Sequence, residues 1–313
     1  MSSINTNVSA MTALQTLTQT NKALTETQNR ISTGYRVNDA SDNAAYWSIA
    51  TTMRSDNKAL GAVQDALGLG AATVDTAYTG VKAAIEVVDE IKAKLVTARG
   101  EGVDRAKIQT EIEQLQDQLS GIATSAVISG ADNWLSVDSS ASGYGATKSV
   151  VSSFTRSGGA VTIQTIDIDT SGMTLYDAGT GAAEVGILDG FRDTTGAIGT
   201  TGFSIAALDI SALTNSAADL ATLETYILGA DSALSEMTDA ATDLGSTKSR
   251  IGLQQDFVKN LMSAIDRGVG QLVDADMNEE SVKLQALQVK QQLGIQALSI
   301  ANSNGQSILS LFR

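Results

Sequence analysis

Residues 46–95 read YWSIATTMRSDNKALGAVQDALGLGAATVDTAYTGVKAAIEVVDEIKAKL, and every seventh position of this stretch is apolar. These positions are Tyr46, Met53, Leu60, Leu67, Val74, Val81, Val88 and Leu95. A repeat of seven kept over this length predicts a coiled-coil helix of roughly 75 Å. Such a helix cannot cover its own apolar stripe, so the pattern requires a second long helix.

A second array of the same period lies towards the other end of the sequence. It contains Ala230, Met237, Leu244, Ile251, Val258, Ile265 and Leu272. We predict an intrachain seam in which Met53, Leu60, Leu67, Val74, Val81, Val88 and Leu95 pack against Met237, Leu244, Ile251, Val258 and Ile265. The pattern alone fits an isolated coiled coil in an unrelated protein equally well. Glycines inside these helices indicate either close approach of another segment or a softened helix; they are Gly61, Gly68, Gly80 and Gly252.

Composition excludes several kinds of function. The 313 residues contain no Cys and no His, which rules out a disulfide, a Cys nucleophile, a His-ligated metal and a Ser-His-Asp triad. A net charge of −14 argues against a nucleic-acid partner, and no apolar run approaches the length of a membrane span. The first residues lack the basic start and apolar core of a cleavable signal peptide. We predict a non-enzyme without a cofactor. The absence of Pro suits long uninterrupted helices.

The remaining segments are predicted as follows. Residues 4–33 form an amphipathic helix that Gly34 ends, and Ser41 or Asp42 caps the long helix, which ends at residues 100–102. A third helix begins at about Asp104 and packs antiparallel on the second. Residues 136–205 lose the helical period, and the alternation in 161–163 and 166–168 predicts half-buried strands. A flexible low-complexity spacer is the competing interpretation. Helix returns at residues 205–228.

The C-terminal stretch, residues 279–313, is apolar on two sides of a helical wheel. One stripe contains Val282, Val289, Leu293 and Ile300, and the other contains Leu284, Leu287, Ile295 and Leu298. Such a helix is buried from two sides, so we expect the N-terminal helix on one side and another copy of the chain on the other. The predicted packing residues between copies are Ile4, Leu14, Leu17, Leu24, Ile31, Val289, Leu293, Leu298, Ile300, Leu309, Leu311 and Phe312.

Both ends of the chain resemble the bacterial flagellins. The similarity rests on residues 4–7 (INTN), on 31–45 (ISTGYRVNDASDNAA) and on the C-terminal motifs at 275–276, 285–286, 291–292, 301–302 and 308–313. It covers roughly residues 1–135 and 213–313. The resemblance implies a mainly α fold, in which both chain ends form a long antiparallel helical bundle or coiled coil around a small β-rich central insertion.

The resemblance also implies a function and an organisation. The chain is expected to polymerise into the extracellular flagellar filament for swimming, after type III export without a cleavable signal peptide. Its partners are other copies, an export chaperone, and hook-associated and cap proteins. Residues 1–40 and 273–313 are the arms of an inner coiled coil, 41–135 and 213–272 form a rod, and 136–212 is the exposed insertion. The alternatives are a hook-associated or junction protein, and an enzyme carried in the insertion.

Flagellins also carry a surface that a vertebrate innate immune receptor reads, an Arg-rich stretch followed by Glu-Leu-Ala-Val. The corresponding run here is residues 89–96, DEIKAKLV, in which Glu90 replaces the key Arg and Ala93 replaces the Glu, next to Lys94. Replacing a cation by an anion reverses the local Coulomb interaction. We therefore expect receptor binding to be weak or absent.

Two other features of the sequence could mark sites. Carboxylate pairs that could bind a hard cation, or simply be solvated, occur at Asp167/Asp169, Asp239/Asp243 and Asp274/Asp276. Ser and Thr residues in 136–205 could carry O-linked sugar, as in some flagellins. Neither pattern identifies a specific site.

Overall fold

The computed structural model describes residues 7–128, 132–157, 160–179, 186–199 and 201–310, without the side chains of 157 and 304–310. Within these ranges the elements are α1 (Val8–Thr33), α2 (Ala44–Ala98), α3 (Arg105–Ser125), β1 (Ser136–Val137), β2 (Thr147–Ser157), β3 (Ala160–Asp169), β4 (Tyr176–Asp177), α4 (Ala217–Val273) and α5 (Met277–Ser310). The fold is mainly α, with antiparallel pairs formed by the two chain ends and a small β-rich insertion, as predicted.

The chain divides into two compact units. Unit 1 comprises Met1–Lys58 and Leu261–Arg313, and unit 2 comprises Ala59–Asn260. Both boundaries fall inside long helices, α2 and α4.

Short polar side chains fix the helix starts. Asn7 accepts a hydrogen bond from the Ala10 N–H (3.1 Å) at the start of α1, and Asn43 does the same for the Tyr46 N–H (3.1 Å) at the start of α2. The prediction of Ser41 or Asp42 as the α2 cap was wrong, because Asp42 instead accepts from backbone N–H groups of the preceding turn. Gly34 ends α1 in the left-handed region at φ 76°, as expected of a C-terminal glycine.

Unit 1 has a small apolar core where the chain leaves α1 and enters α2. Val37, Ala50, Val269 and Val273 are buried together, and Met53, Ile265 and Leu272 pack against them. The backbone N–H groups of residues 36 and 37 both donate to the Val273 carbonyl, at 2.7 and 3.2 Å. These bonds fasten the α1–α2 connection to the end of α4.

Unit 2 is built on an antiparallel pair formed by α2 and α4, on which α3 also packs. The buried face of α3 contains Ile108, Ile112 and Leu119. Arg105, at the start of α3, is buried and donates to the Ala98 carbonyl (2.9 Å) and to Asn215 (2.7 Å). It therefore fastens the end of α2 and the segment before α4 to α3.

The insertion folds against the helices of unit 2. Strands β2 and β3 form an antiparallel hairpin, and β1 pairs in parallel with β4. Glycines supply the close approach: a Cβ on Gly70 would lie 2.4 Å from a Val150 methyl, and one on Gly80 would lie 2.6 Å from the Leu135 side chain. For Gly68 and Gly252 no atom lies within 4 Å, so close approach does not explain them.

The predicted helix over 205–228 was wrong in its first half, because α4 begins at Ala217. Side chains of α3 hold the preceding backbone in an irregular path. Gln109 donates to the Leu208 carbonyl (3.2 Å) and accepts from the Ile210 N–H (2.9 Å), and Gln116 donates to the Ile205 carbonyl (2.8 Å). These bonds satisfy backbone groups that a helix would otherwise satisfy.

Candidate assembly interface

Helices α1 and α5 of unit 1 form an antiparallel pair. Polar contacts join them along their length, at Asn7–Ala301 (2.8 Å), Asn21–Gln291 (2.8 Å) and Arg30–Glu280 (3.1 Å). The two helices approach closely at Gly294, where a Cβ would lie 3.2 Å from a Leu17 methyl. The pair thus has a fixed register set by polar groups at both ends and in the middle.

The Arg30–Glu280 contact is the most buried polar contact of the pair. The Glu280 side chain is 8% exposed and accepts from the Arg30 guanidinium, which also reaches Glu26 at 2.5 Å on its own helix. The Glu280 carboxylate also lies 3.8 Å from the Lys283 ammonium, so the contact joins ion pairs on both helices. We infer that this contact makes any other register of α1 on α5 unfavourable.

One of the two apolar stripes of α5 is partly covered in the structure. Leu287 is buried and Leu284 and Leu298 are half-buried, whereas Ile295 is 54% exposed. On α1 the side chains of Leu17, Leu24 and Ile31 are half-buried. The pair therefore covers one side of each helix incompletely.

The second stripe of α5 is open to solvent. Its members are Val282 (68% exposed), Val289 (55%), Leu293 (57%) and Ile300 (62%). The start of α1 adds three more exposed apolar side chains, those of Val8, Met11 and Leu14. Contiguous apolar surface of this kind marks an interaction site.

The residues predicted to pack between copies divide into three groups. Leu14, Val289, Leu293 and Ile300 are exposed. Leu17, Leu24, Ile31 and Leu298 are half-buried within the chain's own α1–α5 pair. Ile4, Leu311, Phe312 and the side chain of Leu309 lie outside the described residues.

The predicted seam residues lie in two settings. In unit 2 all of them are at most 2% exposed: Leu60, Leu67, Val74, Val81, Val88, Leu95, Met237, Leu244, Ile251 and Val258. In unit 1, Met53 and Ile265 are half-buried against the small core around Val37. The closed part of the seam thus belongs to unit 2.

Ion pairs between α2 and α4 fix the register of that seam. They join Asp75 to Lys248, Lys92 to Asp231 and Arg99 to Glu224. The number of residues between successive ion-paired positions is the same on α2 and on α4, counted in opposite chain directions. The two helices are therefore antiparallel and keep one register between these pairs. Because the pairs are solvent-exposed, they add specificity of register more than stability.

The surface predicted to have lost receptor binding is formed by α2. Glu90 and Ala93 are exposed, and Lys94 is half-buried beside α3. Lys94 pairs with Glu111 at 2.6 Å, and this hydrogen bond and the negative charge of Glu111 raise the pKa of Lys94. The Lys94 ammonium is therefore held towards α3.

The most buried cation of unit 2 is not indicated by the sequence patterns described above. Arg192 is 0% exposed, and its guanidinium donates to both carboxylate oxygens of Glu236 (3.1 and 2.7 Å) and to the carbonyls of Gly196 and Ile187 (both 2.8 Å). The pair fastens the end of the insertion to α4. No local pattern reveals it, because the two residues are far apart in sequence.

The helical ends match known protein families. The bacterial flagellin N-terminal helical region matches residues 4–137, and the bacterial flagellin C-terminal helical region matches residues 227–312. The chain belongs to the bacterial flagellins. Flagellins are structural proteins, the extracellular subunits of the flagellar filament. The antiparallel helices described above lie within the matched regions, apart from residues 217–226 of α4.

Full-length relatives agree with this assignment. Flagellin C of Rhizobium meliloti (strain 1021) is 50% identical over 329 residues, and flagellin A of the same strain is 48% identical over 397 residues. The flagellin of Brucella melitensis biotype 1 is 47% identical over 317 residues. Each alignment covers 100% of both chains.

The part of the chain that the structure describes contains no helix with the length and apolar character of a membrane span. In the same part of this flagellin, no group of three or more acidic side chains could hold a metal ion.

Proposed function

We propose that this flagellin polymerises through the exposed apolar stripes of α1 and α5, which neighbouring copies cover. The observation that carries the proposal is the open stripe at Val282, Val289, Leu293 and Ile300, on a helix whose other side already packs on α1. A monomer leaves this surface in water, and a helical polymer removes it. The finer assignment of Leu14 and of the chain termini to the same contact is part of the proposal.

The size of the open surface favours cooperative assembly. Fully burying a Val or Leu side chain contributes about 1.5–3 kcal/mol, so seven side chains more than half exposed contribute roughly 5–10 kcal/mol. Association costs about 4–15 kcal/mol in lost freedom of motion. A single pairwise contact is therefore marginal, and stable growth requires contact with several neighbours at a filament end.

The proposed organisation follows the segments predicted from sequence. Residues 1–40 and 273–313 form the inner coiled coil of the filament, 41–135 and 213–272 form the rod around it, and 136–212 faces solvent. Bulk filament is favoured over a hook-associated or junction role by full-length relatives of similar size that carry the name flagellin. Long homopolymeric tubes grown from the purified protein would separate the two roles.

Further partners are proposed from the family. The chain would be guided by an export chaperone, and it would contact hook-associated and cap proteins at the filament ends. A catalytic role is not proposed, because the sequence offers neither thiol nor imidazole. Binding of the innate immune receptor should be weak, since Glu90 presents an anion at the position of the key cation. A reporter assay with full potency would contradict that expectation.

The proposal is tested by placing a charge in the stripe of α5. Leu293→Glu should leave the circular dichroism and thermal unfolding of the monomer unchanged, because Leu293 is 57% exposed. The same substitution should abolish elongation of purified protein from filament seeds, because a charge would be buried without a partner. Leu293→Met, which conserves volume, should elongate normally. Normal growth of Leu293→Glu filaments would refute the proposal.

A further inference from the structure

The methionines of this chain differ sharply in exposure. Six of the seven lie among the described residues, and Met1 lies outside them. Met11, in α1, is 63% exposed, and Met277, in the first turn of α5, is 46% exposed. The other four are buried or half-buried: Met53, Met173, Met237 and Met262. A reagent in solution therefore reaches Met11 and Met277 first.

Met11 is the middle member of the exposed apolar stripe at the start of α1. Val8, Met11 and Leu14 are three residues apart, so their side chains lie on one face of the helix. They are 69%, 63% and 54% exposed. Met277 precedes Val282, the first member of the open α5 stripe, by five residues, which is about 140° around the helix. The chain thus presents one exposed methionine inside the surface proposed for assembly and one outside it.

The thioether sets Met11 apart chemically from its neighbours Val8 and Leu14. Peroxides convert a thioether to a sulfoxide: the sulfur forms a bond to one peroxide oxygen, the O–O bond breaks, and water or an alcohol leaves. The sulfur is oxidised by two electrons, and the peroxide is reduced by the same two. Thiolates normally compete for the oxidant, but this chain contains no Cys. The exposed methionines are therefore the first sites of attack.

We propose that Met11 is a redox-sensitive switch of assembly, and that its oxidation by peroxide stops the free subunit from joining a filament. The inference rests on the proposed function, because it gives a regulatory role to one residue of the same α1 stripe. The sulfoxide turns a flexible apolar side chain into a polar one. Burying a polar group without a hydrogen bond is unfavourable, so the oxidised stripe is a poor contact surface.

The switch acts on the free subunit and not on the grown filament. In the monomer the Met11 side chain is open to solvent. In the polymer neighbouring copies cover the stripe, and peroxide no longer reaches the sulfur. Oxidation therefore halts growth at filament ends while the existing filament persists.

The test compares seeded elongation of full-length monomer before and after treatment with hydrogen peroxide. Mass spectrometry of proteolytic fragments gives the extent of oxidation at each methionine, and Met11 and Met277 should be oxidised first. Sedimentation gives the critical concentration, with seeds made from untreated protein. Oxidised wild-type protein should show a critical concentration raised about tenfold. Circular dichroism of the oxidised monomer checks that its helices are intact.

Matched variants locate the effect. Met11→Leu keeps an apolar side chain of similar volume, so it should elongate normally before and after peroxide. Met277→Leu removes the other exposed thioether, and it should lose elongation on oxidation as wild-type protein does. Met11→Gln places a polar group at the same position and should raise the critical concentration about tenfold without any peroxide. Methionine sulfoxide reductases should restore elongation of oxidised wild-type protein.

The outcomes separate this inference from the proposed function. If oxidised Met11→Leu loses elongation as wild-type protein does, or if wild-type protein elongates normally with Met11 fully oxidised, the inference is overturned while filament formation stands. If peroxide oxidises Met11 as fast in grown filaments as in the monomer, neighbours do not cover it, and the inference also fails. Failure of untreated wild-type protein to elongate would refute the proposed function itself.

Discussion

Unit 2 and unit 1 use the same kind of sequence pattern with different results. The α2–α4 seam of unit 2 buries its seven-residue stripe so completely that Leu67, Val74 and Leu244 are 0% exposed. In unit 1, α5 carries a stripe of the same character, yet Leu293 and Ile300 remain more than half exposed. An apolar period therefore predicts that a face will be covered, and it does not say by which chain. Unit 2 is closed by its own chain, and the α5 stripe of unit 1 remains exposed.

The largest expected effect is in the closed seam. Leu244→Ala should lower the free energy of unfolding of the monomer by about 2–5 kcal/mol, because it creates a cavity in a fully buried site. Leu253→Ala, on the exposed side of the same helix (69% exposed), should change it by less than about 0.5 kcal/mol. Urea unfolding of both variants measures the difference. Equal effects would mean that the seam is not closed by this chain alone.

A somewhat smaller effect is expected where the insertion is fastened to the seam. Glu236→Ala leaves the buried Arg192 guanidinium without its carboxylate. Breaking a buried pair costs about 3–5 kcal/mol, and because Glu236 is 34% exposed we expect about 2 kcal/mol. Proteolysis within residues 186–216 should accelerate with it. Glu236→Gln keeps an acceptor and should lose less; an identical loss would show that the charge is irrelevant.

Replacing two glycines of α2 by Ala should change the stability of the monomer in opposite directions. Gly80→Ala should destabilise the monomer by about 1 kcal/mol, because its methyl group would overlap the Leu135 and Ala126 side chains. Gly68→Ala has open space and should stabilise the helix by about 0.5–1 kcal/mol. Thermal unfolding of the two variants compares them directly. Stabilisation by both would mean that the insertion does not pack tightly at Gly80.

The smallest effect is a local response to acid in the insertion. Hydrogen bonds from Ser171, Thr195 and Ser211 hold the pKa values of Asp169, Asp193 and Asp209 below 3.8. Because the pKa is lower in the folded state, the ionised carboxylate stabilises the loop at pH values above the ordinary pKa. This stabilisation is lost as the pH falls through the folded-state pKa. Amide exchange in these loops, corrected for intrinsic rates, should therefore increase below about pH 4. In the Asp193→Asn variant this increase should be smaller in the loop that contains residue 193.

Much of this fold could be predicted from the sequence, for a physical reason. The seven-residue period at Leu60, Leu67 and Val74 is imposed by burial along a helix, so it reports both the helix and its covered side. The caps at Gly34 and Asp104 follow from local hydrogen-bonding needs. Fold class and family could therefore be deduced before any contact was known.

The contacts of the insertion could not be predicted in the same way. Residues 205–216 look helical by composition, yet their backbone bonds to Gln109 and Gln116 of α3, which only the folded chain brings near. The alternation in β3 correctly predicted a strand, but Val161 and Ile163 are exposed where half-burial was expected. The alternation alone does not say which face of the strand the folded chain covers.

Hydrogen exchange of the same protein as monomer and as filament tests the central claim most directly. Amides of the unit 2 seam, in residues 60–95 and 230–258, should be strongly protected in both states. Amides of α1 and α5 should exchange rapidly in the monomer and become protected by about 100-fold or more in the filament, because neighbouring copies cover the open stripes. Equal protection of α1 and α5 in both states would contradict the account.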